Sequence, residues 1–430
     1  MQEPHALDLV GVGFGPSNLG LAIALDERTG PALSMRFLER QERFGWHRGM
    51  LLEDATMQVS YLKDLVTLRN PASGYGFLSY LHERGRLADF INYGSPFPTR
   101  IEFHDYLEWA AAGFADRVDY GAEVQRIAAV PGEPGLLEVH ASHATRGATS
   151  VRTRNVVLAT GLVPQLPEGV RRGPRVWHSS ELLTRVDSLH DPRRVVVVGA
   201  GQSAAEALDH LHRTFPAAEV RAVFSRFGYS PADDTPFANR VFDPSAVDAF
   251  HRAPSEVKGL ILGYHGNTNY SVVDPELIES LYRRHYHERV SGRERLRFHN
   301  VSRVADAIEV DGRVELAVES MVDGGREVLS ADLVVYATGY RSSDPARMLG
   351  ALADSCLRDE EGRLRVERDY RVATRPEIGA GIYLQGATEH SHGLSSTLLS
   401  TVATRSGEIA DAIAAATGAQ VPAWAVGQAG

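Results

Sequence analysis

The chain predicts an α/β fold of two dinucleotide-binding, Rossmann-like domains with a small, mainly helical insertion. Two observations carry this expectation. A short apolar strand, a glycine-rich turn and an apolar helix open the chain at Leu7, and the same unit restarts at Arg194. Two further buried strands end alike, NVVLATG at 155–161 and LVVYATG at 333–339. The repetition is of a whole domain-sized unit, so it excludes a solenoid of short repeats.

In the first unit, residues 7–13 read as a buried strand, 16–25 as an apolar helix and 35–39 as the next strand. Within GVGFGPSN, Gly11 permits a tight turn and Gly13 lets the backbone approach a pyrophosphate. Gly15, Pro16, Ser17 and Asn18 open the helix whose N-terminus receives it. Pro16 takes the usual third-glycine position, which a first helical turn tolerates. Glu39 ends the second strand, where a carboxylate suits two ribose hydroxyls and disfavours a 2′-phosphate. This site is assigned to FAD.

In the second unit, four valines lead into GAGQSAA, with Gly199, Gly201, Gln202, Ser203 and Ala204 in the dinucleotide positions. The helix runs through about 211 and the following strand over 220–224. That strand ends in Ser225 and Arg226 instead of an acid. Arg offers a charged fork to a 2′-phosphate that a carboxylate would repel, so this site is assigned to NADPH. Thr338 and Gly339 close the LVVYATG strand, where a small-residue turn brings backbone close to a ligand at the carboxyl edge of a sheet. The expected organisation is an FAD-binding domain from 1–165 and 335–430, an NADPH-binding domain from 166–230 and 290–334, and a substrate-binding helical insertion at 231–289.

Composition narrows the function. The 430 residues are 43% hydrophobic and 23% charged, ordinary for a soluble protein with a core. A net charge of −10 argues against nucleic-acid binding. No apolar run reaches membrane-span length, and the N-terminus lacks a basic segment, so a cytoplasmic protein is expected. The single cysteine, Cys356, excludes an intrachain disulfide, a dithiol redox centre and an iron–sulfur partner. A flavin here passes electrons onward or meets oxygen directly. The pairs His285/His287 and His390/His392 lack a third ligand, and no metal is expected. Lys63 and Lys258 are the only lysines beside 43 arginines. A compact ammonium at Lys63 suits a substrate carboxylate; its plain alternative is a solvated neighbour pair with Asp64. Asn239 reads equally as a helix cap.

The segments DLVGVGFGPSNL, MQVSYLKDLVTLRNP, EFHDYLEWAA, PADDTPFANRVF, NTNYSVVD and HSHGLSSTLLS resemble the siderophore-associated N-hydroxylating flavin monooxygenases, and among them the L-ornithine N5-monooxygenases. The resemblance runs from about Leu7 to about Ile413. It implies hydride transfer from NADPH to FAD, oxygen activation at the flavin, and hydroxylation of a small-molecule amine. It further implies that Trp46, His47 and Gln58 line the flavin and that Lys63 and Asn239 hold the amino-acid end of the substrate. Asn269 would lie between the nicotinamide ribose and the reacting amine, and Gly393, Leu394 and Ser395 would meet the flavin ring. A helix beginning near Ser396 would point its positive end at the reduced flavin. Ser396 itself stands where many ornithine enzymes carry an acid. Family members imply a homo-oligomer, a tetramer among them. Lysine and diamine N-hydroxylases, and a non-catalytic nucleotide-binding redox sensor, remain open as alternatives.

Overall fold

A computed structural model describes residues 6–266 and 271–418. The chain enters on β1 (Leu7–Val12), α1 (Pro16–Thr29) and β2 (Met35–Glu39), followed by α2 (Phe77–Glu83), α3 (Leu87–Tyr93) and α4 (Arg100–Ala112). Next come β3 (Val118–Tyr120), β4 (Ala122–Val130), β5 (Glu133–His143), β6 (Gly147–Leu158) and β7 (Leu162–Pro164). The second unit holds β8 (Val176–His178), α5 (Leu182–Arg185), β9 (Arg194–Val198), α6 (Gln202–Thr214) and β10 (Glu219–Val223). Three helices follow, α7 (Pro244–Arg252), α8 (Ser255–His265) and α9 (Pro275–Ser291), then β11 (Leu296–His299), β12 (Ser302–Val310), β13 (Arg313–Ser320), β14 (Arg326–Ala331) and β15 (Leu333–Tyr336). The chain closes with β16 (Tyr340–Ser342), α10 (Pro345–Leu349), β17 (Gly381–Leu384), α11 (Glu389–His392) and α12 (Val402–Thr417).

The first sheet has a parallel part in the order β3-β2-β1-β6-β17. The long β6 serves two layers: its C-terminal half pairs with β1 and β17, while its N-terminal half continues into the antiparallel β5 and β4. The second sheet is parallel throughout, in the order β11-β10-β9-β15-β8. β12–β14 form a separate antiparallel sheet, and the antiparallel pair β7–β16 marks the two chain crossings between the main sheets.

Parallel strands covered on both faces read as unbroken apolar runs, and Val195, Val196 and Val197 of β9 have no exposed surface. Helix α1 is apolar all round because it is enclosed between its sheet and α12; Leu19 and Leu21–Leu25 are fully buried. It also runs four residues past its expected end. Asp26, Glu27 and Arg28 sustain the extra turn through ion pairs with Arg117, Arg69 and Asp411, a support that apolar periodicity does not register.

Three expectations are corrected. β15 lies wholly in the second sheet, so the chain returns to the first only after Tyr336, not at 335. Helix α9, expected in the insertion, packs instead on α6: Leu281 is buried in the second core, His212 Nε2 lies 2.7 Å from Glu288, and Arg284 lies 2.7 Å from Asp209. No helix begins at Ser396; two 3-10 turns, Leu394–Thr397 and Leu399–Thr401, precede α12. The carbonyls of Ser395 and Ser396 are turned instead to the guanidinium of Arg405.

Candidate active site

The two glycine-rich turns share one construction. Gly13 has φ 84° and Gly199 φ 138°, conformations that favour glycine. A Cβ at Gly13 would stand 2.5 Å from Ala159 O, and one at Gly199 2.4 Å from Ala337 O. Those carbonyls belong to the two Ala-Thr-Gly strand ends, whose amides close the sheets through Ala159 N→Val12 O (2.9 Å) and Ala337 N→Val198 O (2.8 Å). The missing side chain of Gly13 therefore makes room for the chain's own backbone. Gly11 yields to the Phe37 ring in the same way, and Ala204 packs on Gly199. Gly15 differs, because a Cβ there meets nothing within 4 Å. The open space in front of α1 begins at Gly15.

Around that space the polar groups are tightly held. Glu39, 7% exposed, accepts from Phe14 N (2.7 Å) and Gln41 N (2.8 Å). A carboxylate has about four lone-pair sites, which leaves capacity for ribose hydroxyls. Asn18 Nδ2 donates to Gly13 O (2.7 Å), and Gln385 Nε2 donates to Ser17 O (3.0 Å) and Asn18 Oδ1 (3.1 Å). Arg405, buried on α12, donates to Ser396 O (2.9 Å) and Ser17 Oγ (3.3 Å), so it fastens the 393–397 turn to the N-terminus of α1 beside Pro16. Arg405 and Gln385 escaped the sequence reading. A lone arginine within the apolar periodicity of a helix was the available signal. Among the described residues, the buried hydroxyls of Thr388, Ser396 and Ser400 lack hydrogen-bond partners. Burying them without partners is costly, and a ligand rich in polar atoms, as FAD is, fits the need.

Trp46 and His47 stand together, ring centroids 4.7 Å apart, on the segment after β2. His47 is solvent-exposed and has φ 50°. Its ring faces Tyr340 (6.0 Å), which in turn faces His178 (4.9 Å) at the crossing between sheets. His178 is fully buried; its Nε2 lies 3.0 Å from Gly339 O, while Thr338 Oγ1 donates to Gln165 O (2.6 Å). Gln58 is exposed.

On the second sheet, Gln202 and Ser203 open α6 at the glycine-rich turn. Ser225 is exposed and Arg226 half-buried just past β10, at the carboxyl edge of the sheet. Arg226 Nη1 donates to Ser271 O (2.8 Å), leaving other guanidinium donors for an anion. Ser271 Cα would stand 3.4 Å from a Cβ at Gly201, so the backbone at Ser271 lies over the turn. Arg221, the arginine within β10, is occupied elsewhere, with Glu219 (2.6 Å) and Glu327 (3.3 Å). Asn269 lies outside the described residues.

Lys63 is half-buried, and its ammonium has no ion pair among the described residues. Its sequence neighbour does not serve: Asp64, 2% exposed, accepts from Val66 N (2.9 Å), Thr67 N (2.7 Å), Thr67 Oγ1 (2.8 Å) and Phe77 N (2.8 Å). Asn239 sits in a 3-10 turn, Ala238–Phe242, that packs against the 394–397 turn; its Nδ2 donates to Asp234 O (2.6 Å). Gly393 has φ 79°, and a Cβ there would stand 3.2 Å from the Phe250 ring of α7. Leu394 and Ser395 are buried behind it. Helix α7 is tied to the first unit by His251 Nε2 to Val366 O (3.2 Å) and Arg368 Nε to Asp248 (2.6 Å). Among the described residues no cluster of three or more His, Cys, Asp or Glu could hold a metal, and no helix is long and apolar enough to cross a membrane.

A mixed sheet and a parallel sheet, each with a glycine-rich turn between strand and helix, define a protein with two dinucleotide-binding units. Residues 5–342 match the L-lysine 6-monooxygenase/L-ornithine 5-monooxygenase family. An L-ornithine N(5)-monooxygenase of Burkholderia cepacia is 42% identical, covering 91% of each chain, and one of Pseudomonas aeruginosa is 40% identical, covering 94% of this chain and 93% of its own. The solved ornithine N-hydroxylase of Kutzneria sp. 744, with reduced FAD, NADP+ and L-ornithine, is 49% identical, with a TM-score of 0.93 over 96% of this chain and all of its own. The chain belongs to the L-lysine 6-monooxygenase/L-ornithine 5-monooxygenase family.

Proposed function

We infer that this protein is an FAD- and NADPH-dependent monooxygenase that hydroxylates the side-chain amine of L-ornithine, the step that prepares hydroxamate groups for siderophores. The observation that carries the reading is the 0.93 TM-score at 49% identity with an ornithine N-hydroxylase over nearly the whole chain. When bound, NADPH supplies a hydride to FAD, and the reduced flavin activates O2 for attack by the amine.

The chain's own residues do the holding. Gly15, Ser17 and the α1 N-terminus receive the FAD pyrophosphate, where unpaired N–H groups favour an anion, and Glu39 takes the ribose. The α6 N-terminus receives the NADPH pyrophosphate, with Ser225 and Arg226 at the 2′-phosphate. Trp46, His47, Gln58 and the 393–395 turn would line the flavin. The unpaired ammonium of Lys63 holds the α-carboxylate of ornithine, and Asn239 and Asn269 hold its amino-acid end and reacting amine. A diamine offers no such carboxylate. The reacting amine must be neutral, and desolvation in the closed site lowers its pKa from roughly 10.4.

Self-association into a homo-oligomer, a tetramer in the first instance, is part of the reading. The outer face of α8 supports it, with Val257, Leu260 and Tyr264 at 39%, 66% and 82% exposure. A cytoplasmic location fits the demand for NADPH. Product formation from ornithine, lysine, putrescine and cadaverine, measured side by side with NADPH consumption, tests the assignment. A better rate with either diamine than with ornithine overturns it.

A further inference from the structure

The two dinucleotide units do not simply abut. The 48–55 segment of the first unit is built into the core of the second: Met50, Leu52 and Ala55 are buried with Trp177, Leu182, Leu208 and Leu211. A Cβ at Gly49 would overlap Ser180 O, so the turns 48–50 and 179–181 meet backbone to backbone. Against this seat lies one ion pair. Arg100, the first residue of α4, donates to Glu206 of α6 through both terminal nitrogens (3.0 and 2.7 Å) and to Met50 O (2.9 Å). Its own amide donates to Ala55 O (2.7 Å). The two side chains are 13% and 5% exposed.

Glu206 also reaches the second glycine-rich turn. Gln202 Nε2 donates to Glu206 Oε1 (2.9 Å), and Gln202 Oε1 accepts from Asp274 N (2.8 Å) at the start of α9. The network thus runs from the segment beside His47, through Arg100 and Glu206, to the first residue of the helix at the NADPH site. Seven residues on, and hence on the same face of α6, Arg213 pairs with Asp54 of the same inserted segment.

We propose that Arg100 and Glu206 form an interdomain latch, which holds the two dinucleotide units in the single relative orientation that flavin reduction by NADPH requires. Domains joined through modest interfaces move by default, and hydride transfer fails with small misplacements of donor and acceptor. A bidentate pair fixes angle as well as distance. Its burial makes it decisive: neutralising one partner leaves the other charge buried and uncompensated, and opening the interface to water relieves that cost. Arg100 and Glu206 are positioning residues. The proposal rests on the FAD and NADPH reading above.

The test uses the full-length holoenzyme. Spin labels on Glu83→Cys, in α2, and Val322→Cys, in the β13–β14 hairpin, report the distance between the units. The native Cys356 is 5% exposed and leaves these two as the reactive thiols. The unaltered latch should give one narrow distance distribution without nucleotide, and Glu206→Gln should broaden or shift it. Flavin reduction at saturating NADPH should slow about 10–100-fold, with the half-saturating NADPH concentration and reduction by dithionite little changed. Glu206→Asp, which keeps the charge, should restore the narrow distribution. Arg100→Gln makes the same test from the other unit should Glu206→Gln not accumulate. An unchanged distribution in the neutralised variants overturns the latch whatever the rate, and a changed distribution with an unchanged saturating rate overturns its role in reduction. Wild-type protein that does not oxidise NADPH would refute the cofactor reading alone, since the nucleotide-free distance measurement still decides the latch.

Discussion

Gly13→Ala and Gly15→Ala, two residues apart in one turn, should fail for different reasons. At Gly13 the new methyl would meet Ala159 O at 2.5 Å, with φ at 84°. A side chain in the left-handed region costs roughly 1–2 kcal/mol, and the opposing atom is backbone and cannot rotate away. β1 and β6 must part there, which weakens the buried Ala159 N→Val12 O bond of 2.9 Å at about 1–3 kcal/mol. The loss of about 2–5 kcal/mol belongs to the chain, so it should appear in FAD-free protein as a lower melting temperature, by about 1–2 °C per kcal/mol. At Gly15 the backbone is extended (φ −88°, ψ −170°) and nothing lies within 4 Å. The FAD-free variant should melt within about 0.5 kcal/mol of wild type, yet bind FAD about 10–100-fold more weakly because the methyl enters the ligand's space. Calorimetry of the FAD-free proteins and a fluorescence titration with FAD measure both arms. A Gly13→Ala protein as stable as wild type refutes the backbone-contact argument, and Gly15→Ala with wild-type FAD affinity removes the cofactor from that space.

Lys63→Ala should raise the ornithine KM about 10–150-fold, from a lost charged hydrogen bond of roughly 1.5–3 kcal/mol, while leaving flavin reduction by NADPH and the putrescine KM unmoved; an unchanged ornithine KM ends this role for Lys63. Arg226→Ala should reduce the preference for NADPH over NADH by about 1.5–3 kcal/mol, measured in flavin-reduction kinetics. An equal loss with NADH would mean that the residue serves only to hold Ser271. Burial pulls His392 down to about 3 from 6.5, so between these values the unfolded chain binds a proton that the folded chain does not. Its contribution is complete above pH 6.5 and is lost as pH falls, about 2 kcal/mol by pH 5. Urea unfolding at pH 7.5 and 5.0 should show a smaller difference for His392→Phe than for wild type, and equal differences would exclude His392 as the source.

Much of this protein is written locally. Four valines before GAGQSAA make β9 and the α6 turn, MRFLE makes β2 and ends in an acid, and Ser225 and Arg226 follow one and two residues after Phe224, the position that matches Glu39. Those features depend on residues within one strand–turn–helix window, where backbone geometry and side-chain polarity act together. The division into two dinucleotide units and the absence of a dithiol centre follow in the same way.

The tertiary structure decided what joins distant residues. Asp64, adjacent to Lys63 in sequence, turns to its own backbone loop, and only folding reveals that the lysine has no ion pair among the described residues. Helix α9 leaves the insertion for the second core because Leu281 fits that core and α6 offers it a hydrogen bond at His212 and an ion pair at Asp209. Ser395 and Ser396 fail to start a helix because Arg405, from the following helix, takes their carbonyls. Gly13 answers to Ala159, and Arg100 to a carboxylate 106 residues away. A sequence window specifies which way a backbone turns, but a buried charge or a vacant Cβ position is specified by the element packed against it, and that neighbour is chosen only when the chain folds.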